Sequence, residues 1–116
     1  MTFADAVKSV LTVNYANFNG RASRSEYWWF ALFYVIVAVV LGIVDAMLGM
    51  QILGTIFGLA VLIPSLAVGV RRLHDVGRSG WWILIAFTGI GVLLLIYWYV
   101  QPSDPAANEY GPPPAV

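Results

Sequence analysis

The sequence predicts an all-α fold: a polytopic membrane helical bundle of about three transmembrane helices, preceded by an interfacial amphipathic helix. Three observations predict it. First, 60% of the 116 residues are hydrophobic and only 10% are charged, against about 25% charged in soluble domains. A chain this short has too much surface for its volume to hide that much apolar side chain from water. Second, three apolar stretches approach the ~20 residues a helix needs to cross a bilayer core. Third, the basic residues fall in two places only. Lys8, Arg21 and Arg24 precede the first stretch, and Arg71, Arg72 and Arg78 lie between the second and third.

Residues 3–18 read as an amphipathic helix. Phe3, Ala6, Val7, Val10, Leu11 and Phe18 recur at helical spacing, with Asp5, Lys8, Ser9 and Thr12 off that face. Beside membrane spans such a helix is expected to lie in the interface. Its polar interruptions do not fit a cleavable signal peptide, so targeting is expected to rest on the first span. Asn19-Gly20 breaks the helix. Ser23-Arg24-Ser25-Glu26 matches a capping box, with Ser23 as N-cap and Glu26 reaching back.

The first span is expected over 27–48, stopped by Gly49. At 1.5 Å per residue, 18 to 22 residues cover about 27–33 Å. The second, 52–70, holds no charge. Gly54 and Gly58 form a G-x-x-x-G pair where another helix can approach closely. Pro64 is expected to kink it, with Ser65 or a neighbouring helix covering the freed carbonyl. Residues 71–80 read as a short polar loop. The third span, 81–100, carries Thr88-Gly89-Ile90-Gly91 at its centre and is expected to be one bent helix. A hairpin of two half-helices is the alternative, each half too short to cross. The tail, 101–116, holds five prolines and is expected to be extended or disordered.

The positive-inside rule places the N-terminus and the 71–80 loop in the cytoplasm. With three crossings, the tail lies outside. Tyr27, Trp28, Trp29, Trp81 and Trp82 then form one aromatic belt, and Tyr97, Trp98 and Tyr99 the opposite one.

The chemistry gathers on the cytoplasmic face. Gly20-Arg21-Ala22-Ser23 leads to Trp28-Trp29, and Gly77-Arg78-Ser79 leads to Trp81-Trp82. In both, glycine turns the chain, serine caps, arginine meets phosphates and tryptophan sits at the headgroups. Arg21, Arg24, Glu26, Arg71, Arg72, His74, Asp75 and Arg78 support two readings. In one the arginines set topology and pair with Glu26 and Asp75. In the other they bind an anionic headgroup, a small anion or a partner, because the guanidinium fork suits phosphate.

His74-Asp75 suggests acid–base work, but neighbours on a helix point about 100° apart and make no dyad by adjacency. One histidine with scattered carboxylates is a poor metal site. With no cysteine in the chain, disulfides and cysteine-based metal or redox sites are excluded. No metal, cofactor or catalytic residue is expected. Zero net charge argues against nucleic acid as a partner. Asp45 lies about one turn from the end of the first span, where interfacial hydration would accommodate it. No charge sits at mid-bilayer, which weighs against an ion-coupled transporter.

Three segments resemble the DUF805 family of small bacterial inner-membrane proteins. They are Phe18-Asn19-Gly20-Arg21-Ala22-Ser23-Arg24-Ser25-Glu26-Tyr27-Trp28, Arg71-Arg72-Leu73-His74-Asp75-Val76-Gly77-Arg78-Ser79-Gly80-Trp81-Trp82, and Asn108-Glu109-Tyr110-Gly111-Pro112. Order and spacing fit over nearly the whole chain. Pro102-Ser103-Asp104-Pro105 departs from a more glycine-rich lead-in. The resemblance implies an inner-membrane location and supplies neither an activity nor catalytic residues.

The function expected is a lipid- or partner-binding membrane module that uses the arginine-rich loop. The lipid bilayer, anionic headgroups, further copies of the chain or another membrane protein are the expected partners. A small oligomeric transporter or channel is the second reading, with Gly54, Gly58, Gly69 and the Pro64 kink as packing and gating elements. A membrane enzyme is the third.

Overall fold

The computed structural model describes residues 2–114, and Ala115 and Val116 of the expected tail lie outside the described residues. Every regular element among the described residues is helical. Helix α1 (Phe3–Lys8) continues as a wider π-turn over Ser9–Val13. It stops short of the expected residue 18 because local side chains compete for its end. The Asn14 amide donates to Ser9 Oγ at 2.8 Å, and the Asn17 amide to Asn14 Oδ1 at 2.8 Å. Ala6 and Val10 are fully buried, and Phe3 packs edge-on against Trp29. The segment therefore lies across the main helices, joining Ala22, Phe30 and Val68 in one core cluster.

Helix α2 (Arg24–Leu48) is long and apolar enough to cross a membrane. Ser23 caps it, its hydroxyl accepting from the Glu26 amide at 3.1 Å. Glu26 does not complete the expected box, for its carboxylate turns instead to Ser9 and Arg71. Gly49, at φ 68°, ends the helix. Asp45 is buried rather than hydrated. Its two oxygens accept from the amides of Leu53 at 3.1 Å and Gly54 at 2.9 Å. It thus caps the N-terminus of the next helix, where unpaired amides and the helix dipole favour a carboxylate.

That next helix is bent. Helices α3 (Ile52–Ala60) and α4 (Leu62–Asp75) meet at Val61 at 45°, and together they too could cross. Pro64 explains the break, since it cannot donate to the carbonyl of Ala60. That carbonyl is covered from elsewhere: the Tyr15 hydroxyl donates to it at 2.6 Å. Ser65, one of the two candidates expected to do this, keeps a buried hydroxyl without a partner among the described residues. Residues 71–75, expected in a loop, form the last turns of α4.

The expected third span is not one helix. A 3₁₀ arm (Gly80–Thr88) and α5 (Gly91–Val100) are joined at Gly89. Gly89 sits at φ 77°, ψ −61°, a tight reversal that a side chain would strain. The two arms fold back on each other. Trp82 meets Trp98 with ring centroids 5.5 Å apart, and Ile83 and Tyr99 both reach Gly69 of α4. At the tip, a Cβ on Gly91 would strike the Ile85 carbonyl, so only glycine permits this approach. Nine residues of 3₁₀ helix rise ~18 Å, and ten of α-helix ~15 Å. Neither reaches the ~30 Å of a bilayer core.

The hairpin changes the ends. Tyr99 packs against Tyr27, ring centroids 4.4 Å apart, so Tyr97, Trp98 and Tyr99 do not form an opposite belt. They stand at the same end of the molecule as Trp28 and Trp82. The tail also returns to that end and is docked rather than free.

Candidate functional site

Five segments converge where α2 begins and α4 and α5 end. They are the 17–23 linker, α2, α4, the end of α5 and the tail. The linker, the ends of α4 and α5 and the tail bring backbone carbonyls to this point, and buried carbonyls left unpaired are costly. Arginines answer most of them.

Asp75 is the hub, fully buried at the last turn of α4. One oxygen accepts from Arg21 Nε at 2.9 Å. The other accepts from Arg72 Nη1 at 2.7 Å and from the Ser103 hydroxyl at 2.5 Å. Two guanidiniums thus share one carboxylate. Their other donors go to carbonyls. Arg72, fully buried, donates to Tyr99 O at 3.0 Å and also to Gln101 O. It places a cation at the C-terminus of α5, where the dipole and orphan carbonyls favour one. Arg24 and Trp28 cap the same end through Val100 O at 3.1 Å and Tyr99 O at 2.9 Å.

Arg21 holds the tail. Its donors reach Asp104 O at 2.7 Å, Ala106 O at 3.0 Å, Gly111 O at 3.1 Å and Asp75 O at 3.2 Å. The tail answers with the Asp104 amide on Asp75 O at 2.9 Å, and the Asn108 side chain on His74 O at 3.0 Å. Asn108 and Gly111 close a turn between them. Tyr110 then lies flat over the His74 ring, 3.8 Å away and 1° from parallel. Burial, and then the neighbouring Glu109, push the Tyr110 phenol above its ordinary value, so this ring stays neutral.

A second ion pair stands beside the first. Arg71 Nη1 donates to Glu26 Oε2 at 2.9 Å, and Ser9 Oγ donates to the same oxygen at 2.9 Å. Arg71 Nε donates to Asn17 O at 3.0 Å, while its buried Nη2 has no partner among the described residues. This pair ties α1, the linker, α2 and α4 together.

The eight residues expected to form a site are therefore brought to one end, but in different states. Arg21, Arg71, Arg72, Glu26 and Asp75 are buried and bonded to each other or to backbone. His74 is nine-tenths buried, its Nδ1 2.9 Å from Gly20 O. It makes no dyad with Asp75. Arg24 and Arg78 are exposed, Arg78 lying over the Trp98 ring at 5.0 Å. Of the helix-packing residues, Gly54 meets the Asp45 side chain, Gly58 lines a groove between α2 and α4, and Pro64 is buried at the bend. Among the described residues no cluster of three or more His, Cys, Asp or Glu could hold a metal.

The linker, the end of α4 and the tail, which converge on this hub, all lie within one family match, covering residues 15–112. The chain belongs to the DUF805 family. The family's description is "Protein of unknown function". Among similar proteins, the "Inner membrane protein YhaH" of Escherichia coli strain K12 is 46% identical, over 87% of this chain and 89% of its own. The "Inner membrane protein YhaI" of the same strain is 39% identical, over 87% and 88%. No solved structure matches the chain.

Sequence reasoning missed four residues and the carbonyls of the tail. Ser103 and the carbonyls of the tail carry no side-chain signal that would place them on an arginine. Tyr15 stands outside the apolar face read for residues 3–18, and nothing near it in sequence points to the Ala60 carbonyl. Asn108 and Tyr110 had a signal, since they belong to one of the three segments of the resemblance, but nothing in the residues said what they touch.

Proposed function

We propose that this DUF805 protein is an inner-membrane binding module with two crossings and a re-entrant hairpin, both ends cytoplasmic, whose exposed basic rim engages anionic lipid headgroups. The observation that carries this reading is the division of labour among the cations. Arg21, Arg71 and Arg72 are spent inside the chain, whereas Lys8 and Arg78 are exposed at the same end as Trp28, Trp29 and Trp81, as is Arg24, which gives one donor to Val100 O and keeps its others free for the rim. Indole rings favour the headgroup layer, and cations beside them meet its phosphates. The inner-membrane names of the relatives support the location, and the positive-inside rule supports the orientation.

Each basic residue near an anionic surface contributes about 1 kcal/mol, so losing two costs roughly thirty-fold in affinity. The test is native mass spectrometry of wild type and an Arg24→Gln/Arg78→Gln variant, each released from nanodiscs of mixed phosphatidylglycerol and phosphatidylethanolamine. Enrichment of phosphatidylglycerol on wild type, lost in the variant, supports the rim. Equal, unselective lipid on both overturns it.

A further inference from the structure

We propose that a cavity between the end of α4, the first turn of the 3₁₀ arm and the tail binds a neutral, hydroxyl-bearing lipid, its hydroxyl donating to His74 Nε2. The cavity measures about 390 Å³, within the range of small-molecule sites. Phe18, Val70, Trp81, Ile83 and Leu84 give it apolar walls, and His74, Ser79 and Tyr110 its polar groups.

The imidazole fixes the ligand's chemistry. A carbonyl can only accept, so the Nδ1–Gly20 O contact at 2.9 Å requires Nδ1 to carry the proton. In the neutral ring Nε2 is then a lone-pair acceptor. Among the described residues it has no hydrogen bond, although His74 is nine-tenths buried. It is aimed at Gly80, where a Cβ would stand 3.4 Å from it, and both residues line the cavity. Nε2 is not among the buried polar atoms that lack a partner, so it is open to the cavity, where a ligand hydroxyl can reach it.

The walls hold no arginine or lysine, so nothing here draws in a phosphate, and the headgroup that fits is uncharged. Trp81, largely exposed at the lip, puts the opening at headgroup depth. The apolar walls then take the upper part of an acyl chain. Tyr110, stacked on His74, makes the tail part of the wall. The site is separate from the basic rim and is read by a different probe, so either proposal can fail alone.

The test compares two probes on the purified full chain, monomyristoylglycerol and methyl myristate, which share an acyl chain but differ in the hydroxyl donor. Binding is followed by tryptophan fluorescence. Wild type is expected to hold monomyristoylglycerol roughly ten-fold more tightly, the upper end of the effect of one hydrogen bond. The His74→Phe variant keeps a ring under Tyr110 and is expected to lose that discrimination. The Leu84→Trp variant fills the cavity without touching the ion pairs and is expected to weaken monomyristoylglycerol. It carries the test if His74→Phe does not fold. Equal binding of the two probes to wild type, discrimination that survives in His74→Phe, or undiminished binding in Leu84→Trp would overturn the proposal.

Discussion

Replacing Asp75 by Asn probes the hub with the smallest change of shape. Asp75 is fully buried and accepts from two guanidiniums and one hydroxyl at 2.9, 2.7 and 2.5 Å. An asparagine keeps one acceptor oxygen and sets an NH₂ group where the other stood. Whichever way it turns, that NH₂ faces the Arg21 donor or those of Arg72 and Ser103. At least one guanidinium then loses its carboxylate contact, and no negative charge remains between the two. Removing one partner of a buried pair costs about 3–5 kcal/mol, a large share of the roughly 5–15 kcal/mol that holds a typical domain folded. At ~4 °C per kcal/mol, the melting temperature should fall by roughly 12–20 °C. Thermal unfolding followed by the intrinsic fluorescence of the five tryptophans, in one detergent, measures it. The Glu109→Gln variant, which neutralises an exposed carboxylate, is the control and should not move. A shift for Asp75→Asn under ~2 °C would refute the reasoning, since it would mean that water or backbone already satisfies those donors.

Two further perturbations test the fold. Tyr15→Phe removes the hydroxyl from the Ala60 carbonyl and should cost about 1 kcal/mol. In a Pro64→Ala background, where residue 64 regains an amide for that carbonyl, the same change should cost much less, and a double-mutant cycle of melting measurements reads the difference. Gly89→Ala forces a side chain into the positive-φ reversal at the hairpin tip. It should destabilise by roughly 1–3 kcal/mol, seen as a lower melting temperature, whereas a neutral result would argue against the reversal.

The sequence was informative wherever one residue carries its own local physics. Ser23 reads as an N-cap and Pro64 as a bend, because each acts within one turn of itself. The pairing of arginines with Glu26 and Asp75 was equally legible, since buried or half-buried cations at one end of a bundle must find carboxylates. Residues 81–100 were not. Twenty apolar residues have the same hydropathy as one crossing or as two arms, and the choice between them is made by contacts remote in sequence. Gly69 admits Ile83 and Tyr99, and Arg72 and Arg24 cap α5 at the end where α2 begins. The docking of the tail was not legible for a related reason. Its prolines forbid helix and strand, but they leave carbonyls free, and Arg21 collects three of them. Composition reported the lack of regular structure and was silent on docking.

The central claim is that the chain crosses twice, dips once and returns its tail to the face that holds the arginines. Because the chain has no cysteine, single substitutions report side directly. Gln51→Cys, between α2 and α3, and Ala107→Cys, in the tail, are both at exposed positions. Each would be treated with a membrane-impermeant maleimide on intact spheroplasts and again after permeabilisation. The account expects the Gln51→Cys variant to label from outside and the Ala107→Cys variant only after permeabilisation. Labelling of the Ala107→Cys variant in intact spheroplasts would mean a third full crossing and would contradict it.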